Sequence, residues 1–345
     1  MAFIIGFLLL SFIVHFIALI PFINILYHAK LQRQNQKTTD AFDVPTPIFD
    51  SFHGKKSGTP LGGGMLVIAV TTLLFFISFP ILYYFWIPIH SVYNNVGSEI
   101  KVLLFTFVSF GAIGLYDDVR KVFFAGNQKF YGLRLRHKLI LQIFLSLIAA
   151  YYLYSELHIH IINVPFIGVW DVGILYILFA SFVILSFANA FNISDGLDGL
   201  SCGILMIALT AFWVISHSIL DTPLSVFISI WLGGVIAFLY FNIFPARIFL
   251  GDVGALSFGA TFAVIGLLLG KPFSLLVVGG LYVLEILTSL LQLLSKKYRG
   301  KKLFEVAPFH LLWQKKGWNE STIVFRAWIF SVLLATLGLW FAFMK

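Results

Sequence analysis

AFIIGFLLLSFIVHFIALIPFINILY, residues 2–27, contains no Asp, Glu, Lys or Arg. A helix that crosses a bilayer needs about 20 consecutive apolar residues. This run exceeds the ~7–15-residue core of a secretory signal and lacks a basic start, so it reads as a first membrane span. The same pattern recurs outward along the chain, at 63–88, 102–116, 139–154, 173–191, 200–217, 225–243, 254–270, 274–295 and 323–344. Lys271-Pro272-Phe273 is the turn signal between the eighth and ninth runs. Ten spans in one domain, residues 1–345, is the expected architecture: an all-α integral membrane protein. Composition agrees, with 60% apolar residues, 11% charged residues and a mean hydropathy of +0.96. A soluble domain carries about 25% charge. The one cysteine, Cys202, lies in an apolar run and excludes a disulfide framework or thiol metal cluster.

Basic residues orient the spans. The loops 28–62, 117–138, 192–199, 244–253 and 296–322 hold 19 of the 23 Lys and Arg residues. The positive-inside rule makes these loops cytoplasmic and puts both termini on the extracytoplasmic side. Basic loops beside anionic lipid account for much of the +8 net charge, so the charge is no argument for a nucleic-acid partner.

Carboxylates have no such reason to gather there, yet ten of the fifteen fall on the same side. Asp117-Asp118 close the third run, and like charges that close need a cation or metal between them. Asp195 and Asp198, within Asn192-Ile193-Ser194-Asp195-Gly196-Leu197-Asp198-Gly199, are three apart, and one helical turn would place them on one face. A polar turn between spans is the structural alternative. Asp252 opens a span between two glycines, where capping its own helix is the alternative. Magnesium is held by one or two carboxylates plus substrate phosphates. Phosphoryl transfer needs such a metal together with basic side chains. Lys55, Lys56, Arg120, Lys121, Lys129, Arg134, Arg136 and Lys138 flank these acids. A magnesium-dependent phosphotransferase site in the cytoplasmic loops is the expectation.

These segments also carry a family resemblance. Lys56-Ser57-Gly58-Thr59-Pro60-Leu61-Gly62-Gly63, the Asp117-Asp118 segment, the Asn192–Gly199 segment, Phe249-Leu250-Gly251-Asp252-Val253-Gly254 and Ala307-Pro308-Phe309-His310 with Lys316-Gly317-Trp318 occur in order. Together they resemble the polyprenyl-phosphate N-acetylhexosamine-1-phosphate transferases, and among these the phospho-N-acetylmuramoyl-pentapeptide transferases of peptidoglycan synthesis. The resemblance covers almost the whole chain. It implies a multi-pass protein of the bacterial cytoplasmic membrane. Its substrates would be undecaprenyl phosphate and a UDP-sugar, UDP-N-acetylmuramoyl-pentapeptide, and Mg2+ its cofactor. A dimer with a second copy is left open.

The resemblance also implies roles. Asp252 is the magnesium ligand, with Asp195 a second candidate. Asp117 takes the proton of the lipid phosphate, with Asp118 beside it; an aspartate acting as covalent nucleophile is the two-step alternative. Asn192, Asp195 and Asp198 belong to the loop around the nucleotide, and Asn242 and Phe249 lie near uridine. Lys56, Lys121 and Lys138 serve phosphates or nucleoside, and His310 is the first of three histidines. The three-histidine pattern departs here at two positions, reading His310-Leu311-Leu312. That departure supports a second donor, UDP-N-acetylglucosamine, for a surface polysaccharide or teichoic-acid linkage. Glu285, inside the ninth run, is expected to have a buried partner. A secondary transporter is the reading from another class, disfavoured because the polar clusters sit at one boundary and no repeat is visible.

Overall fold

The computed structural model describes residues 2–33, 56–123 and 132–344. Among these residues the helices are α1 (Ala2–His28), α2 (Gly63–Tyr84), α3 (Val96–Phe123), α4 (Leu135–Ser155), α5 (Leu175–Ser194), α6 (Leu200–Ser218) and α7 (Thr222–Asn242). They continue as α8 (Gly251–Leu268), α9 (Pro272–Val278), α10 (Gly280–Arg299), α11 (Phe309–Lys315) and α12 (Glu320–Phe343). A two-stranded hairpin, β1 (Ile161–Val164) and β2 (Gly168–Asp171), separates α4 from α5. Among the described residues nine helices are long and apolar enough to cross a membrane, or ten if α9 and α10 form one bent span. The protein is an all-α, multi-span membrane protein, as its composition demands.

The bundle is built around α8. In its most apolar stretch 94% of residues are buried, against 22% for α1, so α8 is the axis and α1 faces lipid. Lipid tails are as apolar as leucine, so helices in a bilayer associate through close packing rather than water exclusion. The small residues Gly251, Gly254, Ala255, Ser257 and Gly259 permit this on α8. A Cβ on Gly254 would come 2.9 Å from the Gly64 Cα of α2. A Cβ on Gly114 of α3 would overlap the Asp252 carbonyl. The backbones of α3 and α8 therefore touch one turn away from Asp117 and Asp118.

Three elements differ from the sequence reading. The third span is longer than 102–116: α3 runs from Val96 to Phe123, so Asp117 and Asp118 lie inside the helix rather than at its end. Partnered charges give the helix no reason to stop where the apolar run does. The ninth run is not one straight span, because α9 and α10 bend by 78°. The break falls at Gly279-Gly280, where Phe187 and Leu334 pack against the bare backbone, and paired glycines are a recognised cause of kinks. Beyond the break, α10 buries Tyr282, Glu285, Thr288, Gln292 and Ser295 and exposes Leu287, Leu290, Leu291 and Leu294. Its polar stripe faces protein and its leucines face outward, the arrangement a helix needs beside lipid. Finally, the hairpin occupies residues read only as a connection, with Ile161 opposite Asp171 and Val164 opposite Gly168.

Phe3 packs on Phe85 (centroids 5.2 Å apart) and Phe341 on Phe166 (6.0 Å). At the aspartate end, short bridges join Gln32 to Pro60 and Leu61 to Phe249, drawing three connecting segments together.

Candidate active site

Asp117, Lys121, Lys138 and Asp252 form one compact cluster. Lys121 lies one helical turn beyond Asp117 on α3, so both project from one face. Its Nζ is 3.0 Å from Asp117 Oδ2 and 2.7 Å from Asp252 Oδ2. Lys138, on the first turn of α4, also reaches both carboxylates, at 3.1 Å from Asp117 Oδ2 and in hydrogen-bond contact with Asp252 Oδ2. The Leu133 amide donates to Asp117 Oδ1 at 2.6 Å. Asn192 Nδ2, near the end of α5, donates to Asp252 Oδ1 at 3.0 Å. Two carboxylates and two ammonium groups thus converge from α3, α4 and α8, joined by the Asn192 amide from α5. Partly buried opposite charges in contact interact far more strongly than an exposed surface pair.

Asp252 does not cap its own helix. Asp118 does so from α3: its Oδ2 accepts the Val253 N–H at 3.0 Å. A carboxylate facing the positive end of a helix is favourable. This leaves the Asp252 side chain free to face the lysines. Asp118 Oδ1 is buried and has no hydrogen-bond partner among the described residues.

Asp195 and Asp198 do not share a helix face. α5 ends at Ser194, Asp195 follows as its cap, and Gly199 turns into α6 with φ +78°. The two side chains consequently point to different partners. Asp195 Oδ1 accepts from Ser201 Oγ at 2.5 Å, and burial pushes this carboxyl up to about 6. Asp198 Oδ1 accepts from Lys56 Nζ at 2.7 Å and Oδ2 from the Ala246 amide at 3.0 Å. The polar-turn alternative describes this segment, and the turn also borders the cluster through Asn192.

The other expected residues surround that turn. Asn242, 3% exposed, accepts the Gly199 N–H at 3.2 Å and donates to the Ile248 carbonyl at 2.9 Å, tying two site loops together. Phe249 is half-buried, with the Arg33 guanidinium 5.7 Å from its ring centroid. His310 lies in the first turn of α11 and is 2% exposed. Its Nδ1 lies 3.0 Å from Glu285 Oε2, and its own amide donates to Glu285 Oε1 at 3.1 Å. Glu285 therefore has the buried partner expected of it. The other imidazole nitrogen, Nε2, has no partner among the described residues and faces Gly196, where a Cβ would strike the ring. Leu311, 2% exposed, packs inward, so that position of the altered His-Leu-Leu segment is part of the core.

Of the flanking cations, Lys56, Lys121 and Lys138 reach the acids. Arg120 instead lies against the Tyr116 ring, 6.0 Å from its centroid, and Arg136 is exposed. Arg120 and Lys121 belong to α3, and Arg136 and Lys138 to α4, rather than to loops. Lys55 and Lys129 fall outside the described residues. Sequence reasoning did not single out Glu320, whose Oε1 meets Lys56 Nζ at 2.5 Å and the Asp198 amide at 2.6 Å.

The donor set suits a hard divalent cation. Asp117, Asp252 and Asn192 bring oxygen ligands together, and Asp118 Oδ1 is a buried orphan beside them. Among the described residues no three His, Cys, Asp or Glu side chains gather to cage a metal. Magnesium commonly uses one or two carboxylates and completes its shell with water and phosphate. These residues fit that pattern.

The glycosyl transferase family 4 model matches residues 100–270, a segment within α3 to α8 and just beyond that contains every residue of the cluster. A phospho-N-acetylmuramoyl-pentapeptide-transferase of Clostridium novyi (strain NT) is 36% identical over 288 residues, covering 83% of each chain. The protein of that name from Clostridium kluyveri is 35% identical over 288 residues, 83% of this chain and 86% of its own. One from Acetivibrio thermocellus is 35% identical over 296 residues, 83% of this chain and 82% of its own. The chain belongs to this family. Membership sets aside the transporter reading and fits a site held at one end of the bundle.

Proposed function

We propose that the protein transfers phospho-N-acetylmuramoyl-pentapeptide from its UDP carrier to undecaprenyl phosphate, releasing UMP and forming lipid I for peptidoglycan. The observation that carries this reading is the Asp117–Lys121–Lys138–Asp252 cluster with Asn192, built by the segments this chain shares with relatives of that name. The enzyme would sit in the bacterial cytoplasmic membrane with its basic face toward the cytoplasm. The lipid would arrive through the bilayer and the nucleotide from the cytoplasm.

In the reaction an oxygen of the lipid phosphate attacks the sugar-linked phosphorus of the diphosphate. That phosphorus–oxygen bond forms, and the bond to the bridging oxygen breaks, leaving the electron pair on UMP. The second ionisation of a phosphomonoester falls near pH 6, so the acceptor needs little help to lose its proton, and Asp117 would take it. Lys121 and Lys138 would neutralise the charge that develops on the transferring phosphoryl group, and fixed cations lower such a barrier. Asp117 and Asp252 keep both ammonium groups in register before substrate arrives. Asp118 fixes the start of α8 and with it the position of Asp252. Magnesium, held by Asp252 with Asp117 or Asn192, would offset the charge of the diphosphate.

Leu311 and Leu312, where the family resemblance leads one to expect histidines, support UDP-N-acetylglucosamine as the alternative donor. Purified protein given undecaprenyl phosphate and Mg2+ should release UMP from UDP-N-acetylmuramoyl-pentapeptide at a higher kcat/KM than from UDP-N-acetylglucosamine. The reverse ranking would transfer the assignment to the second donor. Release of no UMP from either would end the transferase reading.

A further inference from the structure

Glu320 opens α12, the last helix, and is separated from the turn 195–199 by more than 120 residues of chain. An acidic residue in a first turn needs no explanation beyond the helix dipole. Its contacts exceed that. Glu320 Oε1 accepts from Lys56 Nζ at 2.5 Å and from the backbone N–H of Asp198 at 2.6 Å. Lys56 also donates to Asp198 Oδ1 at 2.7 Å, so one ammonium is clasped by two carboxylates. The Lys56 and Glu320 side chains are 10% exposed and that of Asp198 5%. Eight residues along α12, Trp328 Nε1 donates to the Gly199 carbonyl at 3.2 Å. The last helix therefore grips two successive residues of the turn, one by its N–H and the next by its carbonyl.

That turn connects the parts of the site. Asn192, just before it, touches Asp252; Gly196 faces His310; Asp198 and Gly199 are held from α12 and by Asn242. Lys56, committed to two carboxylates, acts here as a strut between the segment before α2 and the turn. We propose that Glu320 is a positioning residue of the active site. It pins Lys56 and the Asp198 backbone, and so sets the turn against the donor before binding. The proposal rests on the transferase reading. Ordering a binding loop in advance lowers the cost of binding without touching the reacting bonds, so donor affinity is where Glu320 acts.

The test compares Glu320→Ala with Glu320→Gln in the full-length, detergent-purified protein. Gln keeps an acceptor for the Asp198 N–H and loses the charge that holds Lys56; Ala loses both. In Glu320→Ala, amide hydrogen exchange across 195–199 should accelerate about tenfold or more, and the donor KM should rise about tenfold, since 1.4 kcal/mol corresponds to a factor of ten. kcat and the KM for undecaprenyl phosphate should stay within about threefold. Glu320→Gln should fall between Ala and wild type. Placed on Lys56→Met, Glu320→Gln should add little to the donor KM, because its charge acts through Lys56. Unchanged exchange in Glu320→Ala overturns the proposal, as does a loss in kcat with the donor KM intact. Should Glu320→Ala not fold, the same two outcomes are read from Glu320→Gln. If wild-type protein releases UMP from neither nucleotide, the transferase reading fails by itself. The exchange comparison then still decides whether Glu320 fixes the turn.

Discussion

Glu99 and Asp221, at the end of the bundle opposite the site, are buried as completely as Asp117 and Asp118. The first pair is 0% and 1% exposed and the second 2% and 3%. The surroundings differ. Asp117 has Lys121 and Lys138 within 3.1 Å and shares both with Asp252. Glu99 accepts from the Ser91 hydroxyl at 2.6 Å and Asp221 from the Leu224 amide at 3.0 Å, while Glu99 Oε1 is buried with no hydrogen-bond partner among the described residues. No ammonium or guanidinium lies within salt-bridge distance of that pair among the described residues. Burial raises the Asp221 carboxyl. Asp221 caps α7, and the pair fastens the connection between α2 and α3 to the α6–α7 turn. Buried acid alone therefore does not mark chemistry. What sets the site end apart is acid in direct contact with lysines, Lys121 from α3 and Lys138 from α4, the arrangement on which the proposed chemistry rests.

The largest expected effect breaks the charged cluster at its centre. Asp252→Asn should lower UMP release by about a thousandfold or more, with the protein still folded by its thermal transition in detergent. Near-normal turnover would remove Asp252 from the metal and lysine scaffold proposed for it. Lys138→Met comes next. It leaves two carboxylates to one lysine, and kcat should fall about a hundredfold. Lys138 is 13% exposed, so removing its charge should also lower the melting temperature, because a buried carboxylate that has lost its partner is costly. A drop in melting temperature with kcat unchanged would make the lysine a purely structural counterion.

Much of this was legible because bilayer physics separates two signals. Apolar length places the spans, and lysines follow topology, so acids on the basic side stand out. Asp117, Lys121, Lys138, Asn192 and Asp252 were all singled out from sequence, and the fold brings them within reach of one another. The exceptions share a cause, namely contacts decided by distant chain. Asp118 reads as the twin of Asp117, yet it caps α8, which begins 133 residues later. Asp195 and Asp198 have helical spacing, but the left-handed Gly199 ends the helix that would align them. Glu285 announces a buried partner without naming it; His310 fills that role from a short helix beyond the bend. Glu320 was hidden because its lysine lies 264 residues away and a first-turn Glu looks ordinary. The hairpin carries no charge signal and alternates too briefly to be read as strands.

The smallest expected effect tests the comparison from its other side. If Glu99 and Asp221 serve only to fasten the far end, a neutral isostere should do as well. Glu99→Gln keeps an oxygen to accept from the Ser91 hydroxyl and takes an ionisable group out of the buried end. UMP release should then stay within about twofold of wild type, and the melting temperature within about 2 °C, less than the shift expected from 1 kcal/mol in a chain of moderate size. The same change of carboxylate to amide, made at Asp252, is the one expected to abolish turnover. A loss beyond about tenfold in Glu99→Gln with the fold intact would show that the two ends are energetically coupled. The far pair would then act on the site through α3, the one helix that carries Glu99 at its start and Asp117, Asp118 and Lys121 near its end.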